Sequence, residues 1–472
     1  MANPNILSQR YTTDVVNEIF SEKGKIIAER ELWIAVMKAQ REIGLDIPQK
    51  EIERYEKAKE KIDLEKIKEI ERKTKHDIKA KIEAYVEAAG ADEHIHKGMT
   101  SRDLSDNVEQ MQIRKASRVI FGKYISVLRH MLEKADKYQG IVLTARTHHQ
   151  PAQPTLLGRR MAMWAEELHQ HMVDFERFLD NYPLRGIKGP VGTQFDMLTL
   201  LGSGKKVDEL ERKVAKQLGF TKILDSTGQI YPRSLDYSVL SKLSLLGSAC
   251  ENFAKGIRLM AGYELVTEGF NKGQVGSSAM PHKMNTRSSE RICAFAELLK
   301  MYADGASRIS GDQWEEGDVS CSVVRRVIVP DSFYAADGIC ETTLTVLNNM
   351  GAYGKMIEKE IERYSPFLAT TEILTIAVKA GIGRERAHAI IKKHAIAAAL
   401  DMKEGKPPNL AHRLGEDQEF KKVGISMDKI EVVLKERKVG NAEKQINAVK
   451  SKTKEMLKRY KKEALYEPTD IL

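Results

Sequence analysis

The chain has 472 residues, of which 42% are hydrophobic and 30% are charged, so it can bury a sizeable core beneath a water-soluble surface. Its 76 basic and 67 acidic side chains give a net charge of +9, which suits either an anionic substrate or a merely lysine-rich surface. Nucleic-acid binding is disfavoured, because neither zinc-finger spacing nor an RNP-like aromatic motif nor a basic tail accompanies the positive charge.

The cysteines and the N-terminal residues bear on the cellular compartment. No Cys-x-x-Cys pair occurs, which favours small core residues over a disulfide framework at Cys250, Cys293, Cys321 and Cys340. The first residues lack the apolar core of a signal peptide, and no long uncharged run could cross a membrane. We therefore expect a cytoplasmic protein that has no membrane partner.

The first part of the chain, residues 1–103, is predicted to be a small helical domain. Apolar positions recur at helical spacing from Leu32 to Ile43 and again from Ile62 to Val86. Ile47-Pro48 separates these two faces, and Gly90 ends the second. The lysine and glutamate runs between them predict solvated faces with ion pairs four residues apart.

A different pattern begins at Leu104, where apolar residues recur every three or four positions as far as Tyr138. It predicts one helix about 50 Å long. Ser101 and Asp103 are its candidate N-cap residues, and Gly140 lies just beyond its end. Four further long helices are predicted, over residues 157–179, 235–260, 288–309 and 322–351.

The remaining segments complete an all-α prediction. Residues 183–232 are rich in glycine and proline, which predicts short strands or small helices. Residues 365–472 predict a C-terminal domain of short charged helices. The long helices carry apolar faces too wide to bury in one chain, so residues 104–364 predict a central bundle that associates with copies of itself.

The stretch from Gln274 to Asn285 lies between two of these long helices. Gly273 and Gly276 loosen its backbone, and Pro281 disfavours the α region for the preceding residue. Its hydroxyls, ammonium and carboxamide could hold an anion, although composition alone would favour a polar interhelical connection. The order Gly-Ser-Ser-x-Met-Pro-x-Lys-x-Asn resembles the signature loop of the fumarase/aspartase superfamily. Thr286 stands where that family usually has proline.

This resemblance implies a homotetrameric lyase that eliminates fumarate from a succinyl-bearing substrate. A second stretch, Thr147-His148-His149-Gln150-Pro151-Ala152-Gln153, narrows the family. Paired histidines in a loop are, by about three to one, surface residues rather than catalysts. The stretch nevertheless resembles a segment of the adenylosuccinate lyases in which the first histidine is the general acid. That resemblance assigns the acid to His148 and places Thr147 at the substrate.

A third stretch runs from His94 to Asp103. His94 and His96 suggest a metal site, but no carboxylate or third histidine follows at ligand spacing. The same family carries a Thr-Ser pair that binds a substrate carboxylate, and Thr100 and Ser101 match it.

Further matches occur in chain order and imply contacts with the nucleotide. By resemblance, Glu290 is the partner of the catalytic histidine, and the nucleotide-, phosphate- or base-contacting residues are Arg10, Tyr11, His76, Asp77, Gln229, Arg233, Arg291, Ser322 and Arg326. Each alone has a simpler interpretation: Arg10 as a surface charge, Glu290 as a first-turn residue favoured by the helix dipole, and Arg325-Arg326 as a solvated pair. Their joint order favours the family.

The resemblance implies a β-elimination without metal or organic cofactor. Ser277 would be the base, with Lys283 and loop amides stabilising its alkoxide. Asn285 would join Lys283 and the Thr-Ser pair in holding the carboxylates. His148, oriented by Glu290, would protonate the leaving nitrogen of a succinyl-purine nucleotide.

Two alternatives stay open at this point. Another lyase of the superfamily, such as argininosuccinate lyase or a cycloisomerase, is opposed by the phosphate-type matches at Arg10, His76 and Arg326. A catalytically silent structural relative is opposed by intact Ser277 and His148. The helix of about 50 Å between Ser101 and His148 also predicts that no single chain builds a whole active site.

Overall fold

In the computed structural model, residues 5–269, 279–280 and 282–469 are described. Helices dominate these ranges, and the strands within them form two small two-stranded sheets. The all-α prediction is confirmed. None of the described helices is long and apolar enough to cross a membrane.

The N-terminal region packs around the long helix α3. Its helices are α1 (Ile6–Arg10), α2 (Asp14–Phe20), α3 (Glu22–Glu42), α4 (Gln49–Ala58), α5 (Leu64–Thr74) and α6 (Asp77–Ala89). The predicted apolar face of α3 is buried, with Trp33 at its centre. Surface ion pairs at helical spacing occur as predicted, for example Glu69 with Lys73 at 2.7 Å. This core also covers Leu104 at the beginning of the next helix.

Five long helices form the central bundle. They are α7 (Ser101–Lys137), α8 (Leu157–Asp180), α11 (Ser234–Gly262), α12 (Arg287–Ile309) and α13 (Ser322–Asn349). Arg325 near the beginning of α13 contacts Glu109 of α7 and Asp236 of α11, so these three helices begin at one end, called the upper end. Tyr138 just beyond α7 donates to the Met350 carbonyl beyond α13 at 3.1 Å, which marks the lower end. Helices α8 and α12 return between the two ends.

The beginning of α7 differs slightly from the prediction. Thr100 is the N-cap, not Ser101 or Asp103. Asp103 instead occupies the third helical position, where its carboxylate accepts the Thr100 amide at 2.8 Å. This is a capping box, in which an acidic residue three positions along reaches back to the cap.

A β-hairpin replaces the predicted loop around the paired histidines. Strand β1 (Val142–Thr147) pairs with β2 (Gln150–Leu156) in antiparallel register. Pro151 and Pro154 argue against a strand in the sequence, because proline has no backbone N–H to donate to a neighbouring strand. A sheet of two strands tolerates them, since each strand has a free edge. A second small sheet pairs β3 (Val266–Thr267) with β4 (Gly351–Ala352).

The glycine- and proline-rich segment contains two small helices, α9 (Phe195–Leu201) and α10 (Gly204–Gln217). A C-terminal group of helices has a separate core that includes Phe420. The helices after the bundle are α14 (Gly354–Leu368), α15 (Thr370–Lys379), α16 (Arg384–Lys403), α17 (Leu410–Gly415), α18 (Gln418–Lys422), α19 (Met427–Glu436), α20 (Ala442–Arg459) and α21 (Lys461–Ala464). Helices α20 and α21 pack back on α8 and α7. The boundaries at 103/104 and 364/365 stay predictions.

The four cysteines are free and buried, in agreement with their predicted role as small core residues. One buried charge cluster connects the N-terminal and C-terminal segments of the chain to the bundle. The Lys123 ammonium of α7 contacts Asp337 and lies 2.7 Å from Glu341, both of α13. Asp337 also accepts the Thr13 amide, and Glu341 accepts the Tyr466 hydroxyl. The Lys123 charge is thus neutralised by carboxylates that are themselves hydrogen-bonded.

Candidate active site

The upper end is organised by the carboxylate of Asp103, which is fully buried. One oxygen accepts the Arg185 guanidinium at 2.6 Å and the amides of Lys188 and Gly189 at 2.9 and 3.0 Å. The other oxygen accepts the Thr100 amide. Asp103 thereby fixes the Thr100-Ser101 pair against the segment that follows α8.

A second buried network lies one turn further along α7. Asp106 pairs with Arg233 at 3.2 Å, and the Arg233 guanidinium lies 4.4 Å from the centre of the Tyr231 ring. Burial raises the pKa of Asp106, although the Arg233 charge opposes this. Arg233, predicted to contact substrate, is only 1% exposed and belongs to this network in the single chain. The backbone N–H of Gln229, four residues earlier, donates to the Glu316 carbonyl at 2.6 Å.

The other predicted residues of the upper end are accessible. Ser322 is half-buried at the beginning of α13, and Arg326 is exposed, in contrast to its buried neighbour Arg325. His76 and Asp77 are exposed at the beginning of α6, where the His76 ring accepts the Lys79 amide at 3.2 Å. Close by in sequence to the Thr-Ser pair, His96 accepts the Trp33 indole N–H at 3.1 Å, and burial lowers its pKa.

At the lower end, His148 occupies the tip of the β1–β2 hairpin. His148 and His149 form its two-residue turn, with φ of 51° and 64°. Such a turn normally contains asparagine and glycine, because both positions need a positive φ. Two histidines held there store backbone strain, which is characteristic of functional sites. Thr147 and His148 are exposed.

Arg146 supports this turn from one side. Its guanidinium donates to the His149 carbonyl at 3.2 Å and forms an ion pair with Glu360 of α14. It also lies 4.2 Å from the centre of the Tyr263 ring, at the end of α11. These contacts join the hairpin to two neighbouring elements and fix the direction in which the histidine turn projects.

Three predicted residues of the lower end lie at or before the beginning of α12. Lys283 and Glu290 are exposed, and Asn285 is half-buried. Asn285 and Thr286 line a cavity of about 440 Å³ with residues of β3 and α14. Ser277 lies outside the described residues.

Three residues predicted to contact the nucleotide are close together. The Arg291 guanidinium lies 5.4 Å and the Arg10 guanidinium 5.9 Å from the centre of the Tyr11 ring. Tyr11 packs edge-on against Phe295 of α12 at 5.3 Å. Helices α1 and α12, distant in sequence, thus bring two cations to one aromatic ring.

The predicted residues fall into two groups. The upper group contains His76, Asp77, Thr100, Ser101, Gln229, Arg233, Ser322 and Arg326, and the lower group contains Thr147, His148, Lys283, Asn285, Glu290 and Arg291. Arg10 and Tyr11 lie beside Arg291 of the lower group. Helix α7 separates the two ends by about 50 Å. Within one chain, the structure does not bring the groups together.

Sequence reasoning missed the buried charges that hold these groups. The capping pattern identifies Asp103 only as a candidate N-cap, and no motif in the sequence singles out Arg185 or Glu268. One signal was available: polar residues at positions i, i+3, i+4 and i+7 continue the buried face of α7, and they are Asp103, Asp106, Asn107 and Gln110, all 0% exposed.

Comparison with known proteins identifies the family. Residues 9–297 match the family described as "Lyase", and residues 366–449 match that described as "Adenylosuccinate lyase C-terminus". The chain is 35% identical over 434 residues to adenylosuccinate lyase of Saccharomyces cerevisiae, covering 90% of this chain and 89% of the yeast protein. It is 32% identical over 422 residues to adenylosuccinate lyase of Schistosoma mansoni, covering 88% of each.

The fold has relatives of lower sequence similarity. It is similar to 3-carboxy-cis,cis-muconate lactonizing enzyme from Pseudomonas putida, with a TM-score of 0.81, 18% identity, and coverage of 97% of this chain and 100% of that one. That likeness confirms the fumarase/aspartase-like fold. The sequence matches extend over most of the chain at 32–35% identity, and they show that the chain belongs to the adenylosuccinate lyase family.

Proposed function

We propose that the chain catalyses the β-elimination of fumarate from adenylosuccinate, giving AMP. The corresponding succinyl-aminoimidazole-carboxamide ribotide would be its second substrate and would give AICAR. The observation that carries this proposal is the sequence match over 90% of the chain to an enzyme that bears the name of the reaction. The function thus belongs to purine nucleotide biosynthesis.

The roles of the lower group follow from the chemistry of elimination. Ser277 removes the proton beside a carboxylate, and Lys283 and Asn285 hold the charge that develops there. His148 protonates the departing nitrogen, with Glu290 as its orienting partner. The exposed position of His148 on a strained turn supports this assignment, because a general acid must reach substrate.

The substrate is held by the remaining residues. Thr100 and Ser101 bind a carboxylate, and His76, Asp77, Gln229 and Arg233 complete the nucleotide pocket. Arg10 and Arg291, the two cations beside the Tyr11 ring, are suited to binding the phosphate. Ser322 adds a hydroxyl and Arg326 adds an exposed cation. Thr147 lies beside the acid.

The active site is shared between subunits of a homotetramer. The beginning of α7 carries Ser101, and His148 lies beyond the end of this helix, about 50 Å away. An antiparallel neighbouring subunit must therefore supply the opposite group, as a twofold axis allows. Exposed apolar side chains on the long helices support such association, among them Leu245, Leu259, Val323 and Val327.

The activity is tested by incubating the purified protein with adenylosuccinate and measuring fumarate and AMP. The two products are expected in equal amounts, and argininosuccinate is expected to yield no fumarate. Elimination from argininosuccinate alone would assign the chain to the other lyase, and inertness toward both nucleotide substrates would support a silent relative.

Sharing is tested by complementation between two defective chains, Ser101→Arg and Ser277→Ala. After subunit exchange, some sites draw both groups from intact copies, so part of the wild-type activity should return. Each variant carried alone through the same exchange is the control. Hybrid tetramers that demonstrably form but stay inactive would contradict the shared site.

A further inference from the structure

We propose that Glu268 is a positioning residue for the reaction, which fixes the first turn of α12 and with it Glu290 and Arg291. The proposal rests on the function proposed above. Glu268 follows strand β3 and is only 6% exposed. One carboxylate oxygen accepts the Ser288 amide at 2.9 Å. The other accepts the Ser289 amide at 2.9 Å and the Ser289 hydroxyl at 2.8 Å.

These contacts make Glu268 the N-terminal cap of α12. The residue in the cap position, Thr286, makes no capping hydrogen bond through its side chain. A carboxylate from another element takes its place and accepts two of the amides that a helix leaves unpaired in its first turn. Its charge also lies at the positive end of the helix dipole. The carboxylate of Glu268 thus occupies the position at which a helix terminus would otherwise bind an anion.

The position of Glu268 is itself fixed. Strand β3 pairs with β4, which follows α13, so the peptide before Glu268 is fastened to the end of the bundle. Gly269 follows with φ of 101°, and a Cβ there would lie 2.4 Å from the Cβ of Asn349. Only glycine allows this close approach. The capping carboxylate is therefore anchored to α13 rather than carried by α12.

The consequence for the site is one of geometry. The Glu290 amide bonds to the Thr286 carbonyl at 3.0 Å, so Glu290 belongs to the turn that Glu268 caps. Its side chain is exposed. Both oxygens of Glu268 accept hydrogen bonds from the first turn of α12. Glu268 acts through the backbone on the direction in which Glu290 and Arg291 project.

The test compares Glu268→Gln with Glu297→Gln, which changes an exposed carboxylate further along the same helix, 61% exposed. A glutamine keeps the shape but turns an N–H donor toward the helix amides. Since a misplacement of about 1 Å can cost roughly 10²-fold in rate, we expect Glu268→Gln to lower kcat by about that factor. KM should change far less, and the pH dependence of kcat should shift because the partner of the acid has moved. Glu297→Gln should behave as wild type.

Ser289→Ala provides a second variant if Glu268→Gln does not fold. It removes one of the three hydrogen bonds and should lower kcat by a smaller factor, with the same shift in the pH profile. Wild-type kcat and pH profile in either folded variant, with only a lower Tm, would overturn the proposal and leave Glu268 a stabilising cap. A wild-type protein that forms no fumarate would instead contradict the proposed function.

Discussion

The two ends of the bundle are built differently. At the upper end, Asp103, Arg185 and Asp106 are buried and hydrogen-bonded to groups of the same chain. At the lower end, His148, Lys283 and Glu290 are exposed, whereas the residues that support them are half-buried, as Arg146 is, or buried, as Glu268 is. The upper end is thus preorganised within one chain, whereas the lower end presents its reactive groups outward.

This difference separates two functions of charge. Buried ion pairs orient a binding segment, and removing one partner leaves the other as an unpaired charge inside the protein. Exposed groups contribute little to folding but can meet a substrate or a neighbouring subunit. Substitutions of the buried charges at the upper end should therefore affect folding first, and substitutions of the exposed groups at the lower end should affect turnover first.

The largest effect is expected from Ser277→Ala. Loss of a catalytic base should reduce kcat by about 10²–10⁴-fold while adenylosuccinate still binds, because the hydroxyl acts mainly in the transition state. Single-turnover kinetics and equilibrium binding measure the two quantities. Ser307→Ala, at the other end of α12, is the control. Near-normal turnover would remove Ser277 as the base.

The next largest effect is expected in folding stability, which should differ between substitutions at the two ends. Arg185→Met leaves the carboxylate of Asp103 without its buried cation, which should cost about 3–5 kcal/mol of folding free energy. Lys283→Met, at the exposed lower end, should change it by no more than about 0.5 kcal/mol. Urea denaturation of both variants measures the difference. Equal stability of the two would show that the upper network is not preorganised.

Two adjacent arginines allow a finer comparison. Arg326→Ala should weaken the binding of adenylosuccinate by about 10–100-fold, because it removes a charged hydrogen bond between an exposed cation and the phosphate. The binding of fumarate, which has no phosphate, should stay unchanged. Arg10→Ala should act in the same direction. Arg308→Ala, an exposed arginine at the end of α12, is the control. An equal loss for both ligands would mean that these arginines do not contact the phosphate.

The smallest effect concerns pH. The pKa of His96 is lower in the folded protein than in the unfolded chain, because burial disfavours its charged form. The unfolded chain therefore binds the proton more tightly, and His96 should lower the Tm as the pH falls below the ordinary histidine pKa. In His96→Asn, the asparagine tolerates the φ of 66° at this position. This variant should show a smaller change of Tm with pH. His149→Asn, at the lower end, is the control; equal slopes in both variants would exclude His96 as the cause.

Much of the fold could be predicted from local pattern. The apolar periodicity of each long helix places its bounds within a few residues of the observed ones, as α12 (Arg287–Ile309) and α13 (Ser322–Asn349) show. The β1–β2 hairpin could not be predicted this way, because prolines in β2 argue against a strand. The residues of the candidate site were found by the order of motifs, and their assignment stays a prediction.

The helical bundle, the family and the residue types available for chemistry can be read from the amino-acid order, since periodicity and motif order are local properties. Which charges are buried becomes clear only from the folded chain. Arg325 and Arg326 are neighbours in sequence, yet one is enclosed by Glu109 and Asp236 and the other is exposed. Glu268 likewise becomes a helix cap only through contact with Ser288 and Ser289. This is because the environment of a charge is set by residues distant in the chain, whose packing no local pattern specifies.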